Sequence, residues 1–409
     1  MRRKILQVNS SLGLGSTGKI VESICGLAAA SDWECWIAHS SRYEGQSQFN
    51  HINVSTKFGE YLHYIHSLLL DRHGLGSTVA TRAFVQKLDR EIRPDIIHLH
   101  NIHGYYINYE ILFEYLNKAG IPVVWTFHDC WPMTGHCAHY ENVRCNRWIT
   151  GCHDCPNKSE YPMSVGLDYS DMNYRYKHNL FGSVGNLTIV AVSEWMRRQV
   201  LCSYFKNHEV TVINNGVDTG VFRARGSEQL GQISDSLGVS GKKVLLGVAS
   251  SWSRQKGLQD FISLSERLDP DYVIILVGLK REQISQLPDN IVGVERTESV
   301  IQLADLYSIA DVFVNPTYGD TFPTTNIEAL ACGTPVVTYC TGGSPEAVTP
   351  DTGLVVDAGD VDMLKSAIDC ILEQDRGNFR YTCRQRAEAC YEKNDRFKEY
   401  IELYECLVT

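Results

Sequence analysis

The sequence of residues 312–338 reads VFVNPTYGDTFPTTNIEALACGTPVVT. Residues 312–314 are a short apolar run, a polar loop follows, and residues 325–331 have the composition of a helix. A second run suited to a strand covers residues 335–338. Two apolar strands joined by a helix predict a β-α-β unit, in which the strands are parallel and buried on both faces.

The same alternation extends in both directions from this unit. In the second half of the chain, it predicts strands at residues 244–249 and 272–277 and helices at 258–268 and 300–310. In the first half, it predicts a helix at residues 19–30 and strands at 5–8, 33–38, 96–99, 123–127, 187–192 and 210–213. We therefore expect an α/β fold of two Rossmann-like, doubly wound domains, joined near the polar stretch 214–241.

The bulk properties exclude several classes of protein. At 409 residues the chain is too long for one ordinary core. Its net charge of −10 argues against a nucleic-acid partner, which requires a basic face. Gln7 and Asn9 interrupt the apolar region that a signal peptide needs, so we expect a cytoplasmic protein. Residues 272–279, the longest apolar stretch, fall short of the ~20 that span a bilayer, so membrane contact would be peripheral, at the inner face.

A glycine-rich segment, GLGSTGKI at residues 13–20, follows the first predicted strand. It nearly matches a nucleotide-triphosphatase P-loop, but Ile20 stands where a Ser or Thr must hold magnesium. Two interpretations remain. The segment is either a turn that presents N–H groups and a helix N-terminus to an anion, or a plain tight turn. An anion site here would use Gly15, Ser16, Thr17 and Gly18.

Two carboxylates stand out in the stretch quoted first. Asp320 lies in the predicted loop, and Glu328 is expected in the first turn of the following helix. The two side chains can therefore face one small ligand, beside the unpaired N–H groups expected near Thr324. The alternative is a capping box, in which Glu328 only accepts a hydrogen bond from the Thr325 backbone N–H.

Several motifs, in their order along the chain, resemble the retaining GT-B glycosyltransferases of family 4. The motifs are VSE at 192–194, NNGVD at 214–218 followed by Phe222, the pair Asp320 and Glu328, ALACGTPVV at 329–337, and GGSPE at 342–346. The resemblance implies two Rossmann-like domains that face each other across a cleft. Residues 1–200, with a C-terminal helix at 393–409, would form the acceptor-side domain, and residues 201–392 the nucleotide-sugar-binding domain. Apolar residues at helical spacing support docking of that last helix: Phe397, Tyr400, Ile401 and Tyr404.

The resemblance also implies roles for individual residues. Glu328 would hold the ribose hydroxyls of the donor, and Asp320 would contact hydroxyls of the transferred sugar. Lys256 would lie on the donor diphosphate, where a fixed cation stabilises the growing negative charge. His128, after the strand at 123–127, would face the donor sugar without acting as a general base.

Further implied contacts with the donor involve backbone as much as side chains. The pocket for the sugar would be lined by Phe322, Pro323 and Thr324, and the turn at residues 15–18 would approach donor and acceptor from the opposite domain. Two positions depart from the family pattern. Asp320 replaces the first of two glutamates, and the family's arginine falls on Ser251, a charge that Arg254 could supply.

The implied reaction transfers a sugar, with retention of anomeric configuration, from a UDP- or GDP-sugar to a glycan or lipid-linked glycan. No metal or other cofactor is needed for this chemistry. Two alternatives share the architecture, because a fold does not determine a function. One is a nucleotide-sugar epimerase, and the other is a non-catalytic GT-B scaffold subunit, which Asp320 and Ser251 would favour.

Four cysteines crowd into one segment with the spacing C-x7-C-x6-C-x2-C: Cys137, Cys145, Cys152 and Cys155. Close thiolates in a reducing compartment suit a tetrahedral structural zinc, and an iron–sulfur cluster or free thiols are the alternatives. With HDCWPMTGHC at 128–137, the segment resembles a subset of these enzymes that act in capsule and exopolysaccharide assembly. A zinc here would stiffen an acceptor-side loop and take no part in the transfer.

Overall fold

The computed structural model describes residues 2–374 and 376–409, with the backbone alone at residues 227 and 376. The chain divides into two compact units. Unit 1 extends from the N-terminus to Asn214 and resumes at Phe397–Thr409, and unit 2 is Asn215–Arg396.

The described part of unit 1 contains one sheet of seven parallel strands. The strands are β1 (Arg3–Val8), β2 (Trp33–His39), β3 (Asn50–Asn53), β4 (Ile96–Leu99), β5 (Val123–Phe127), β6 (Leu187–Ala191) and β7 (Glu209–Val212). Their order is β3-β2-β1-β4-β5-β6-β7. The sequence of strands therefore reverses direction between β1 and β4, which is the switch point where ligands bind in doubly wound sheets.

Helices connect these strands. They are α1 (Gly15–Ala30), α2 (Lys57–Leu70), α3 (Thr78–Lys87), α4 (Tyr109–Ala119), α5 (Ser170–Phe181) and α6 (Glu194–Cys202). A π-helical turn at Leu88–Ile92 extends α3, and short 3-10 turns occur at Trp131–Met133, Glu141–Val143 and Arg147–Ile149.

Unit 2 repeats the design with six parallel strands in its described residues. The strands are β8 (Lys243–Val248), β9 (Tyr272–Val277), β10 (Ile291–Val294), β11 (Val312–Asn315), β12 (Val336–Tyr339) and β13 (Gly353–Val356). Their order, β10-β9-β8-β11-β12-β13, is the strand order of a Rossmann fold, with the switch point between β8 and β11.

The helices of unit 2 lie between these strands and after them. They are α7 (Ser227–Ser236), α8 (Leu258–Ser265), α9 (Arg281–Ile284), α10 (Val300–Ile309), α11 (Thr324–Ala331), α12 (Val361–Leu372) and α13 (Arg376–Tyr391). A 3-10 turn covers Ser344–Ala347. The last helix, α14 (Lys393–Leu407), starts in unit 2 and belongs to unit 1 from Phe397 onward.

The cores follow from the period of two along each buried strand. In unit 1, Ile5 packs with α1 and α14 on one face of the sheet, while its neighbour Leu6 packs with Phe113 of α4 on the other. In unit 2, Leu245 and Ile274 pack against residues of α8 and α12. Leu246 and Ile275, which follow them and point to the other face, are also fully buried. Both faces of each sheet are therefore covered, which is why the strands read as continuous apolar runs.

Polar N-caps set the starts of several helices. The side chain of Asn108 accepts a hydrogen bond from the backbone N–H of Ile111 at the start of α4, and Ser193 does the same for Met196 in α6. Each satisfies an N–H group that has no partner within the helix. Among the described residues, no helix is long and apolar enough to cross a membrane.

The predicted α/β class with two Rossmann-like sheets is confirmed. The strands that the sequence did not predict are β3, β10 and β13. The first, β3, is the edge strand NHIN. Three of its four residues are exposed and the fourth is half-buried, so no apolar run marks it. Unit 1 extends to Asn214, beyond the expected residue 200 and at the start of the polar stretch 214–241, because β7 pairs with β6 in its sheet.

Candidate functional site

The loops after β8 and β11 lie side by side at the switch point of unit 2. The backbone N–H of Tyr318 donates to the Gln255 carbonyl at 2.8 Å, and the Gln255 side chain donates to the Gly319 carbonyl at 3.1 Å. Gly257 has a φ of +73°, and a Cβ there would lie 2.3 Å from the carbonyl oxygen of Pro316. Only glycine permits this approach, so the backbone itself joins the two loops.

This junction brings together two of the charged residues singled out in the sequence. The Nζ atom of Lys256 lies 2.7 Å from Oδ2 of Asp320, and the two side chains remain 34% and 21% exposed. The carbonyl oxygen of Asp320 accepts a hydrogen bond from the Gly343 N–H at 2.9 Å. A partly exposed ion pair of this kind contributes little to stability, ~0–1 kcal/mol, so its charges are available to a ligand.

Glu328 lies in α11, whose start differs from the expectation. The helix begins at Thr324 with Pro323 as its N-cap, and no described side chain caps it. Pro323 is extended, with a φ of −66° and a ψ of 119°, and the first helical turn forms directly after it. Thr325 is therefore not the N-cap and the capping-box alternative is wrong; Glu328 is the fifth helical residue, one beyond the first turn.

The Glu328 carboxylate is held instead by a tyrosine. The hydroxyl of Tyr307, in α10, donates to Oε2 of Glu328 at 2.9 Å. Tyr307 is fully buried, and burial together with the Glu328 charge raises the pKa of its hydroxyl well above the usual range. The Tyr307 hydroxyl thus keeps its proton at neutral pH and acts as a hydrogen-bond donor, which fixes the orientation of a half-buried carboxylate.

A network of amides holds the loop between Asp320 and α11. Asn326 is buried; its Oδ1 accepts from Asn315 at 2.8 Å, and its Nδ2 donates to the Ser344 carbonyl at 3.0 Å. The side chain of Asn215 donates to the Phe322 carbonyl at 3.0 Å. These bonds fix the backbone of residues 320–324, which a binding loop requires.

The remaining donor-site candidates of unit 2 occupy the same loops. Phe322 and Pro323 are buried, and Thr324 is half-buried. Arg254 is exposed, in the turn that leads to Lys256, and interacts electrostatically with Tyr318. Ser251 is exposed just after β8. The expected contacts of these residues with a donor stay predictions.

In unit 1, the glycine-rich segment is more helical than expected. Gly15, Ser16, Thr17 and Gly18 are the first four residues of α1, not a turn before it. The preceding Leu14 is the N-cap, and no described side chain caps the helix. The first N–H groups of α1 are thus presented as a helix N-terminus, at the switch point of this sheet.

His128 belongs to a hydrogen-bonded chain that reaches α14. Its Nε2 lies 2.9 Å from Nδ1 of His100, whose Nε2 lies 2.8 Å from Oε1 of Gln7. The Gln7 amide donates to the Tyr404 hydroxyl at 3.3 Å, and that hydroxyl lies 2.6 Å from Nδ1 of His98. All of these residues belong to unit 1.

The direction of the protons along this chain follows from the Gln7 amide. Its oxygen can only accept, so Nε2 of His100 carries a proton and, in the neutral ring, Nδ1 does not. Nε2 of His128 is therefore the donor to His100. This makes neutral His128 the Nε2–H tautomer, with Nδ1 as a hydrogen-bond acceptor.

Burial keeps these histidines neutral. It lowers the pKa of His128 to about 4, against a smaller opposing effect of Asp129. Burial also lowers the pKa values of His98 and His100 well below the usual range. His128 is thus uncharged at pH 7 and suited to hydrogen bonding rather than to charge stabilisation.

Asp129, next to His128, has a separate partner. Its Oδ2 lies 2.7 Å from Nε2 of His103, and its Oδ1 accepts from the Trp131 N–H at 2.9 Å. Burial alone would raise the pKa of Asp129, but His103, His139 and the Trp131 N–H together lower it to about 2. The carboxylate therefore anchors the turn after β5.

The four cysteines line one cavity, together with His136 and Trp148. The Gly135 N–H donates to Sγ of Cys152 at 3.2 Å, and the thiols of Cys137 and Cys155 are hydrogen-bonded. No three of the four sulfur atoms lie within 4.8 Å of one another. Tetrahedral zinc with ~2.3 Å bonds separates sulfur atoms by ~3.8 Å, so the side chains would have to close around it. The residues suit the metal, and the structural zinc stays a prediction.

The sequence patterns do not single out several residues of these arrangements. The alternating histidines at positions 98 and 100 do indicate that the strand at 96–99 ends in polar residues. Tyr307 and Gln7 give no such signal, because a lone tyrosine or glutamine in a buried element is usually structural. His136 lies next to Cys137, inside the cysteine-rich segment. Its Nδ1 lies 2.5 Å from Oδ1 of Asp71, and its buried Nε2 has no hydrogen-bond partner among the described residues.

Two family models match consecutive parts of the chain. The model described as Glycosyltransferase Family 4 matches residues 21–221, and the one described as Glycosyl transferases group 1 matches residues 231–390. A relative is the putative colanic acid biosynthesis glycosyl transferase WcaC of Escherichia coli, 22% identical over 337 residues and 78% of each chain. Alpha-maltose-1-phosphate synthase of Mycolicibacterium smegmatis is 28% identical over 198 residues, 44% of this chain and 51% of that one.

Solved structures share the fold over nearly the whole chain. Sucrose-phosphate synthase from Thermosynechococcus elongatus gives a TM-score of 0.73 at 17% identity and covers 99% of each chain. Anabaena HepE in complex with UDP-glucose gives 0.70 at 16% identity and covers 98% of this chain and 99% of that one. The chain therefore belongs to the glycosyltransferases of the GT-B fold, with a family 4 domain followed by a group 1 domain.

Proposed function

We propose that this glycosyltransferase takes a sugar from a UDP- or GDP-sugar and attaches it, with retention of configuration, to a glycan or lipid-linked glycan in surface polysaccharide assembly. One observation carries the proposal most directly. Lys256 and Asp320, 64 residues apart in sequence, meet at 2.7 Å where the loops after β8 and β11 join. That position is where a Rossmann-like sheet binds nucleotides.

Lys256 has the chemistry that the leaving group requires. An ammonium has three donor hydrogens, so Asp320 can orient Lys256 while the remaining hydrogens bind oxygens of the donor diphosphate. As the bond from the sugar to the diphosphate breaks, negative charge grows on the diphosphate, and a fixed cation stabilises it. Because the loop is already hydrogen-bonded in place, little reorganisation is needed when the donor binds.

Glu328 and Asp320 would recognise the two ends of the donor. The Glu328 carboxylate, oriented by Tyr307, suits a pair of ribose hydroxyls, because its oxygens can accept a hydrogen bond from each of them. The second oxygen of Asp320 would accept from a hydroxyl of the transferred sugar. Because the Asp320 side chain is one methylene shorter than that of a glutamate, the sugar would have to lie closer to the loop backbone.

The proposed mechanism uses no protein base. The acceptor oxygen forms its bond to the anomeric carbon on the face that the diphosphate leaves, and its proton passes to a departing phosphate oxygen. His128 is neutral at pH 7 and would therefore hydrogen-bond the donor sugar rather than take the proton. No metal is required, because Lys256 supplies the positive charge.

Two comparisons support the donor and the process. The HepE structure, which shares the fold, contains UDP-glucose, and WcaC is named for colanic acid biosynthesis. We therefore propose a UDP-sugar as the first donor to test and a GDP-sugar as the second. A lipid-linked acceptor would place the enzyme at the inner face of the membrane as a peripheral protein.

A binding and turnover experiment tests the proposal. Purified protein is screened by thermal shift against UDP-, GDP- and dTDP-sugars, since specific binding to the folded state raises the melting temperature. The Lys256→Met variant should lose the shift. The matched control is Lys243→Met, which removes a partly exposed lysine, paired with Asp271, outside the site.

The products then separate the alternatives. Transfer or slow hydrolysis of the bound donor, with retained configuration by NMR, supports the proposal. Epimerised nucleotide sugar in the absence of an acceptor would identify an epimerase. Binding without transfer or hydrolysis would favour a scaffold subunit, and an inverted product would contradict the retaining mechanism.

A further inference from the structure

Two histidines meet at the outer edge of the sheet of unit 1. His39 is the last residue of β2, and His51 lies in the edge strand β3, where it pairs with Ile37 in the strand register. Ile37 and His39 are two residues apart and so face the same side of the sheet. Nε2 of His39 lies 3.2 Å from Nδ1 of His51.

The protonation of His39 leaves one ring nitrogen available as a ligand. Its Nδ1 lies 2.9 Å from the Ser40 carbonyl oxygen, which can only accept a hydrogen bond. Nδ1 of neutral His39 therefore carries the proton, and Nε2 presents a lone pair toward His51. Metal-binding histidines are typically held in this way, with the second nitrogen bonded to a carbonyl or carboxylate.

Glu44 completes the set. Ligand atoms of His39, His51 and Glu44 all lie within 4.8 Å of one another, and among the residues that the structure describes no other group of three or more His, Cys, Asp or Glu does so. The Asn53 side chain donates to Oε2 of Glu44 at 3.3 Å, which orients the carboxylate. The carboxylate of Glu22, in α1, adds negative charge beside His51.

The spacing suits a tetrahedral metal ion. With Zn–N bonds of ~2.0–2.1 Å, the two nitrogens of a tetrahedral site are ~3.3 Å apart, close to the separation of the two ring nitrogens here. Two imidazoles and a carboxylate are ligands that zinc prefers, and water supplies a fourth position in such sites. An ion would replace the proton that the two rings otherwise share.

We propose that His39, Glu44 and His51 bind a divalent transition-metal ion, with zinc as the expected metal. The ion would stabilise the loop at residues 40–49, which packs on the segment before α1. In that packing, the Leu12 N–H donates to the Tyr43 carbonyl and the Gly45 N–H to the Leu12 carbonyl, each at 2.9 Å. The metal is therefore a brace for the start of α1 and is independent of the proposed donor site in unit 2.

Metal titration tests the proposal. The full-length protein is stripped with a chelator, dialysed, and titrated with Zn²⁺ by calorimetry, and then with Co²⁺ followed by absorption. We compare the wild type with His51→Gln and Glu44→Gln, two substitutions at exposed positions, where stability usually changes little. The control is His208→Gln, a half-buried histidine of unit 1 outside the cluster.

Binding of one equivalent that His51→Gln loses and His208→Gln keeps is the expected result. The Co²⁺ form of this site should show ligand-field bands without thiolate charge transfer, which separates it from any metal held by the four cysteines. Asn53→Ala, which removes only the orienting bond, should weaken binding by about 10- to 100-fold. Equal Zn²⁺ stoichiometry and affinity in the wild type and His51→Gln would overturn the proposal.

Discussion

The hydroxyl of Tyr404 lies 2.6 Å from Nδ1 of His98, although the two residues are 306 positions apart in sequence. Tyr404 belongs to the last helix, and its hydroxyl also accepts from the Gln7 amide. The C-terminal helix therefore completes a buried polar network in unit 1. Tyr404 orients the Gln7 amide, and that amide determines the tautomers of His100 and His128.

Removing the Tyr404 hydroxyl should disturb that tautomer. In Tyr404→Phe, the Gln7 amide loses its acceptor and can rotate, which exchanges donor and acceptor at His100 and His128. We expect mixed tautomers in ¹⁵N NMR of the imidazoles and a stability loss of ~1–3 kcal/mol for unsatisfied buried groups. Tyr61→Phe, at an exposed tyrosine of α2, is the control. A single unchanged His128 tautomer in Tyr404→Phe would rule out this coupling.

The buried histidines predict a loss of stability in acid. The unfolded chain protonates them near pH 6.5, whereas folded His128 has a pKa of about 4 and those of His98 and His100 lie well below the usual value. Between pH 6.5 and 4 the unfolded state thus binds more protons, so the free energy of unfolding falls as pH falls, by at most ~1.4 kcal/mol per pH unit for each histidine.

Denaturant unfolding at several pH values measures this slope. Above pH 7.5 both states are unprotonated at these sites, and the dependence should vanish. His100→Asn should flatten the slope relative to the wild type, whatever its overall stability. Asp129, with a pKa of about 2 in the folded state, adds a slope of its own only below about pH 5, where the unfolded carboxyl begins to bind protons, so the comparison is made between pH 5 and 6.5. An identical slope in His100→Asn would show that His100 is protonated in the folded state.

The ion pair of unit 2 should matter for binding and not for stability. Lys256→Met removes a charged donor to the diphosphate, worth ~1.5–3 kcal/mol, so the Kd for a nucleoside diphosphate should rise by about tenfold or more. Asp320→Asn keeps the cation but loses its orientation, and a smaller increase is expected. Calorimetry measures both, with Lys243→Met as control. Melting temperatures that fall while Kd stays constant would assign the pair a structural role.

Conservative substitutions can distinguish the contribution of Glu328 to nucleotide binding from that of Tyr307. Glu328→Gln keeps an oxygen for the Tyr307 hydroxyl but removes the charge that favours ribose hydroxyls, so affinity for a nucleotide should fall. Tyr307→Phe leaves the carboxylate in place with less restraint and should have a smaller effect on Kd. The comparison ligand is inorganic pyrophosphate, which lacks the ribose. An equal loss of affinity for pyrophosphate in Glu328→Gln would disprove the ribose contact.

The cysteine cluster predicts bound zinc in protein purified without chelators. Metal analysis should find an equivalent that is lost in Cys152→Ser and retained in Cys202→Ser, an exposed cysteine outside the segment. Its removal should lower the melting temperature, because structural zinc contributes directly to folding, and transfer should persist until unfolding. Protein that holds no metal in the cysteine segment, with four titratable thiols there, would end the zinc hypothesis.

Local patterns in the sequence predicted the elements that carry apolar runs, and the ordered motifs around Asp320 and Glu328 predicted the family. The sequence does not predict the edge strand at residues 50–53, because this strand is polar and mostly exposed and no local pattern distinguishes it from a loop. The start of α11 was misjudged because Thr325 and Glu328 have capping-box spacing, and only the backbone shows that Pro323 precedes the first turn.

The sequence by itself determined the class of fold and the family, because strand periodicity and motif spacing are short-range properties that can be read along the chain. Only the tertiary structure decided which side chains meet: Lys256 with Asp320, Tyr307 with Glu328, and Tyr404 with His98. Those contacts join elements whose adjacency is set by the order of strands in each sheet. That order depends on how whole helices and strands pack to bury apolar surface, so no single segment of the sequence determines it.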